Sequence, residues 1–258
     1  MEKVQNKKDT SFQLVSIVMP VFNERDTIET IVERVQRVPI PKELIIVDDG
    51  STDGTREWLY EQFGQVSADE EEGRKESWES MADRPQVRVF FHKKNQGKGA
   101  ALKTGFQHVK GNLVIVQDAD LEYSPEDYPQ LLEPLITDRA DVVYGSRFLG
   151  ASEVKWPLVS YLGNKVFTAL TNAATALSLT DVWTGYKVFK KEVLEDIALQ
   201  ESGFEMELEL TVQVAQRKWR VTEVPISYLP RSKAEGKKIR WRDAIQSIKT
   251  LYRYRRAL

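Results

Sequence analysis

The chain has 258 residues, 41% of them hydrophobic and 29% charged, and a net charge of −2. That length holds a full core, as one large domain or two small ones. The near-neutral balance excludes a global pull toward nucleic acid or membranes, and the absence of cysteine excludes disulfides, thiolate metal sites and cysteine nucleophiles.

Residues 1–13 are polar and lack the apolar core of a signal peptide. No stretch reaches the roughly 18–20 uninterrupted apolar residues of a membrane-spanning helix. The longest candidate, 156–179, is broken by Asn164, Lys165 and Asn172. A soluble or peripheral, cytoplasmic protein is expected.

Residues 14–19 form an apolar run closed by Pro20, which predicts a first buried strand. Ile28, Ile31, Val32 and Val35 recur at helical spacing within 25–38. A second strand is expected at 44–47, then a turn at Asp48-Asp49-Gly50-Ser51, with Asp53 as a cap for a helix through Phe63. Residues 65–85, with four consecutive acids at 69–72, carry little pattern and suggest a mobile surface insertion. A strand at 87–91, a helix at 99–109 and a strand at 113–116 follow. Ser124-Pro125-Glu126 reads as a helix start capped by Ser124, and 141–144 as a fifth strand. This alternation predicts a mostly parallel sheet with helices on both faces. Helices at 157–179 and 203–218 and a strand at 220–224 complete the same domain, spanning 14–230. No internal repeat, GxGxxG or GxxxxGK[ST] is present, so neither a dinucleotide fold nor a P-loop has motif support.

The chemistry gathers at the strand ends. Residues 113–122, LVIVQDADLE, deliver Asp118 and Asp120 to the carboxyl end of a buried strand. Open α/β sheets bind ligands in the crevice there. Two neighbouring carboxylates call for a cation, and oxygen ligands suit Mg2+ or Mn2+, which complete their shells with substrate phosphates and water. A metal–diphosphate site is expected, most simply for a nucleotide-sugar.

Pro20-Val21-Phe22-Asn23-Glu24 opens onto the same crevice. Glu24 could accept ribose hydroxyls and Phe22 could lie against a base; equally, Asn23 could cap a helix whose dipole favours Glu24. Asp49 could accept N–H groups of uracil or guanine, or belong to a turn. Asn95-Gln96-Gly97-Lys98-Gly99 could meet phosphate at a helix start, or be an ordinary loop. Arg147, after the fifth strand, could grip phosphate with two parallel hydrogen bonds, or be a surface arginine. One of Glu205, Glu207 and Glu209 could orient a sugar or act as a base, or all could be solvated. From Arg231 onward ten cations face two anions, with Trp241, Ala244, Ile245, Ile248, Leu251 and Tyr252 at helical spacing. This suits a helix lying on an anionic membrane, or one packing on the core with a solvated basic face. Nucleic acid lacks a recognised module and meets an acidic crevice.

The ordered strings MPVFNE, IIVDDGSTDGT, NQGKGAALKTG, QDADLEYSPED, GSRF, DVWTGYKVF, GFEMELEL and EVPISYLPR resemble a family 2 glycosyltransferase of the GT-A fold. The resemblance is to its dolichol- or polyprenyl-phosphate mannose synthase branch and spans residues 15–242. It implies that Pro20, Phe22, Glu24, Val47 and Asp49 line a nucleotide pocket. It implies that Asp118, Ala119 and Asp120 hold metal and diphosphate, with Glu122 as a further ligand. Arg147, Arg231 and Lys237 would gather round the phosphates. Glu122 stands where the mannose synthases resemble DADLQ, Phe22 replaces a commoner tyrosine, and SKAEGKK replaces a GESK-like loop. The implied activity is inverting transfer of a hexose from a donor of the GDP-mannose or UDP-glucose type to polyprenyl phosphate, beside a membrane. A hydroxyl acceptor with a glutamate base is the alternative, and a silent nucleotide-sugar-binding protein a remoter one. The sugar, the lipid and any partner subunit or homo-oligomer stay open.

Overall fold

The structure, a computed structural model, describes residues 14–64, 86–150, 158–203 and 205–231. The tail at 1–13, the expected insertion at 65–85, Lys237 and the basic C-terminal helix lie outside the described residues.

Among the described residues, seven strands form one sheet in the order β3-β2-β1-β4-β6-β5-β7. They are β1 (Val15–Val21), β2 (Lys42–Asp48), β3 (Gln86–Phe91), β4 (Leu113–Val116), β5 (Val142–Ser146), β6 (Lys187–Lys190) and β7 (Val221–Pro225). Only β6 runs against its neighbours, antiparallel to both β4 and β5. The helices are α1 (Ile28–Arg37), α2 (Thr55–Phe63), α3 (Lys98–Gln107), α4 (Tyr128–Ile136), α5 (Leu158–Thr175), α6 (Lys191–Asp196) and α7 (Met206–Gln216).

The central strands read as continuous apolar runs because both sheet faces are covered. Ile17, Met19, Leu44, Ile46 and Ile115 pack on one face with Ile28, Ile31, Val32 and Val35 of α1 and Leu131 of α4. Val18, Ile45, Val47, Val114 and Val116 pack on the other with α3 and α7. The helical spacing read in α1 therefore marks its core face.

The order of the sheet reverses at β1, which pairs with β2 on one side and β4 on the other. Such a switch point leaves a crevice at the strands' carboxyl ends. The loops after β1, β2, β4 and β5 open there. Because β6 is antiparallel, its start at Lys187 reaches the same rim, opposite Tyr144 of β5.

β6 and α6 were absent from the expected elements. The strand has four residues with lysine at each end, and its identity rests on pairing with two distant strands rather than on a local pattern. Three expected caps also differ. Asn23 adopts φ 54° and accepts from Thr52 N at 2.8 Å instead of capping α1. Gly54 precedes α2, while Asp53 accepts from Thr55 N at 3.1 Å. Ser124 precedes a single 3-10 turn, Pro125–Asp127, and its hydroxyl donates to Glu126.

Candidate active site

β4 carries the chain from Val116 straight to the rim. Gln117 is fully buried and anchors the bend, its Oε1 accepting from the hydroxyls of Tyr128 (2.8 Å) and Tyr186 (2.6 Å). Asp118 and Asp120 then face the crevice half-buried, while the Ala119 side chain between them turns into the core. Gly185 makes room for this arrangement. A Cβ there would strike Asp118 Oδ2 and lie 3.1 Å from Tyr123.

Each aspartate meets a different cation. Lys98, at the start of α3, puts Nζ 2.8 Å from Asp118 Oδ1 and 3.1 Å from Glu207 Oε1. Glu207 in turn holds Lys187, which is buried at the start of β6. The four side chains form a line of alternating charge. Burial works against the charged forms, yet Asp118 and Glu207 raise the Lys98 pKa, and Lys187 and Lys98 lower that of Glu207. On the other side, Arg231 puts Nη2 2.8 Å from Asp120 Oδ2 and Nη1 3.0 Å from Glu24 Oε2.

Among the described residues, the charged groups at the crevice are short of positive charge. Glu24, Asp118, Asp120, Glu122 and Glu207 face Lys98, Lys187 and Arg231. Five carboxylates against three cations leave two negative charges. Burial, then Asp118 and Glu122, accordingly push the Asp120 carboxyl up to about 7 despite Arg231. A divalent cation is the size of charge that would settle this balance. Among the described residues no cluster of three or more acids or histidines forms a ready-made metal cage. Two carboxylates plus substrate phosphates are nonetheless the usual magnesium arrangement.

Several expected residues sit elsewhere. Glu122 is held by the segment after β7: Oε1 accepts from Arg231 N at 2.9 Å and Oε2 from the Tyr228 hydroxyl at 3.1 Å. Arg147 is no surface arginine. It is buried, with Nε 2.7 Å and Nη2 2.8 Å from the two oxygens of fully buried Asp181, and lies over the Tyr228 ring. Its fork grips a carboxylate of the protein where phosphate was expected. Asp49 accepts from Gln96 N (3.0 Å) and Gly97 N (2.7 Å) and bonds His92 Nδ1 at 2.7 Å. Its lone pairs thus hold the loop before α3 where a nucleobase was expected. Val47 is fully buried against α3, so its side chain lines core. Pro20 and Phe22 are half-buried at the end of β1, beside Glu24.

Glu209 is fully buried and accepts from Gln200 N (2.8 Å) and Glu201 N (2.9 Å), which fixes the loop leading into α7. The same loop rests on α3, with Ala100 N donating to Ser202 O at 3.1 Å. Asp181, Lys187, His92 and Tyr228 were missed in the sequence. The only signal for the first two was the string DVWTGYK, whose polar members look like loop residues until β6 is known.

The profile of Glycosyl transferase family 2 matches residues 16–198. The chain is 30% identical over 239 residues to the polyprenol monophosphomannose synthase of Mycolicibacterium smegmatis, covering 88% of this chain and 83% of that one. It is 27% identical over 244 residues to the dolichol-phosphate mannosyltransferase of Pyrococcus furiosus, covering 93% of this chain but 63% of that protein's length. In fold it is similar to the glucosyl-3-phosphoglycerate synthase of Mycobacterium tuberculosis solved with UDP, at TM-score 0.67 and 20% identity, over 94% of this chain and 80% of that one. The strand-end carboxylates, the single reversed strand and these likenesses agree: the chain is a glycosyltransferase and belongs to glycosyl transferase family 2, within its polyprenyl-phosphate mannosyltransferase-like branch.

Proposed function

We propose that the protein transfers a hexose, with inversion, from a nucleoside-diphosphate sugar to the phosphate of a polyprenyl lipid, using Mg2+ or Mn2+. The observation that carries the donor half is the pair Asp118 and Asp120 in a crevice whose described charged groups leave two negative charges. These residues fit the metal and would hold it together with the donor's diphosphate. Bound there, the ion would offset charge developing on the departing diphosphate. Lys98 and Arg231 are placed to share in that neutralisation.

The acceptor half rests on how the candidate base Glu207 is held. A sugar hydroxyl must lose a proton as the new bond forms, whereas a lipid phosphate arrives already ionised. Glu207 was a candidate base, but two lysines hold it as a carboxylate and lower its pKa. The relatives named as acting on polyprenol and dolichol phosphate support the same choice. A membrane-surface location suits α5, which carries no acidic residue and exposes Leu162, Val166 and Leu170 one turn apart. Among the described residues no helix is long and apolar enough to cross a bilayer.

The test is a transfer assay with purified protein, labelled GDP-mannose, UDP-glucose and related donors, Mg2+ or Mn2+, and polyprenyl phosphate. An acid-labile glycosyl phosphate is expected. Failure to label the lipid from any donor defeats the reading, and a stable glycoside on a hydroxyl acceptor selects the alternative.

A further inference from the structure

The segment after β7 crosses the mouth of the crevice as a strap. Tyr228 forms an isolated bridge with Tyr123, Leu229 N donates to Glu122 O at 2.9 Å, and Arg231 N donates to the Glu122 side chain. The strap is anchored at its start, where Ile226 is buried and Ser227 N donates to Asp127 Oδ2 at 2.7 Å, while Leu229 is 73% exposed. At its end the Arg231 guanidinium spans Asp120 and Glu24. It therefore occupies an oxygen of one of the two carboxylates that a metal would need. Its Nε is buried with no hydrogen-bond partner among the described residues. The cation is attracted by both acids.

We propose that Arg231 is a tethered surrogate cation that competes with the divalent ion for Asp120, so that loading metal and donor releases Arg231 from the carboxylates. This rests on the metal–diphosphate reading above and adds an order to it. Before loading, Arg231 offsets part of the crevice's excess negative charge and keeps the strap docked. Loading supplies two positive charges at Asp118 and Asp120, and the Asp120–Arg231 contact loses its electrostatic reason. The guanidinium remains tethered beside the incoming phosphates, a ligand whose geometry suits a fork of parallel N–H donors. The same cation thus serves a carboxylate in the empty enzyme and an anionic substrate in the loaded one. Glu122 is the hinge of this exchange, because it holds the strap's backbone while the side chain changes partner.

The experiment measures binding of Mn2+ alone, by electron paramagnetic resonance, to the full chain and to Arg231→Met and Arg231→Lys. Lysine keeps the charge but cannot fork across two carboxylates. Competition for Asp120 predicts tighter Mn2+ binding in both variants, by about tenfold for methionine and about threefold for lysine, the scale of a partly buried ion pair. A general field effect would instead leave the lysine variant equal to the unsubstituted protein. That equality, or weaker binding in either variant, overturns the proposal. Mn2+ binding to none of the three, with or without UDP or GDP, overturns both the exchange and the metal reading beneath it. A second readout needs no substitution beyond assignment. The Arg231 Nε–H resonance of 15N-arginine-labelled protein is expected to shift on adding Mg2+, and an unmoved resonance at saturating Mg2+ counts against the exchange.

Discussion

The main-chain N–H of Arg231 donates to Glu122 Oε1 at 2.9 Å, so the residue two places after Asp120 fixes the backbone of a residue more than a hundred positions away. Glu122 thereby acts on the strap. Its removal should weaken transfer through loss of Arg231 placement while leaving the Asp118 and Asp120 carboxylates in place. Glu122→Ala is expected to lower kcat/KM by about tenfold to a hundredfold. Glu122→Gln, which still offers an oxygen to the Arg231 amide, is expected to keep most activity. Isothermal titration with Mn2+ and UDP or GDP separates this from ligation, since a lost ligand would weaken ion binding in both variants.

Arg147 and Asp181 form a bidentate pair in which the carboxylate is fully buried, with Asn164 Nδ2 adding a bond at 3.1 Å. Breaking such a pair leaves a buried charge without its partner, which costs about 3–5 kcal/mol. Arg147→Met should therefore lower stability by that order in urea unfolding, and Arg147→Met with Asp181→Asn should recover part of it. A direct grip on the acceptor phosphate would instead raise KM for lipid with little change in stability.

Lys187 lies 1% exposed between Glu207, Thr184 O and the Tyr144 ring. Burial lowers its pKa, with Glu207 opposing that fall. Lys187→Met leaves Glu207 with Lys98 alone, so the loss should fall below that of an orphaned charge, at about 2–3 kcal/mol. Adding Glu207→Gln should give less than the sum of the two single losses, because the groups share one network. A strictly additive double mutant in thermal or urea unfolding would contradict the line of alternating charge.

Gly185 tests how tightly Asp118 is placed. A methyl group there meets Asp118 Oδ2 and the Tyr123 ring, both on the rim side of the sheet. Gly185→Ala should displace the carboxylate and cut turnover about a hundredfold, with Mn2+ affinity falling in parallel. Unchanged ion binding and turnover would mean that the Asp118 side chain has room to spare.

Much of this could be read along the chain, and the reasons for the exceptions are physical. Ile28, Ile31, Val32 and Val35 announced a helix because one face meets the core, and the run ending at Val116 announced a strand because both faces do. Asp118 and Asp120 were legible because a strand's direction fixes where its next residues fall. What failed was pairing. Sequence places Arg147 and Asp49 at the rim but not what they touch, and both turn out to hold protein groups, Asp181 and the loop at Gln96 and Gly97. Glu122 was a ligand by the family resemblance, while the groups it bonds here arrive from beyond β7. Lys187 was hidden because β6 is four residues long and exists only through its neighbours.

The central claim is that Asp118 and Asp120 together hold a divalent ion on which the donor's diphosphate docks. The most direct measurement is a crystal structure with Mn2+ and UDP or GDP, read from manganese anomalous scattering. The account predicts one strong peak within bonding distance of both carboxylates and of the diphosphate, with Arg231 drawn off Asp120. A nucleotide bound without manganese at those carboxylates, or an empty crevice with Arg231 still seated between Glu24 and Asp120, would contradict it.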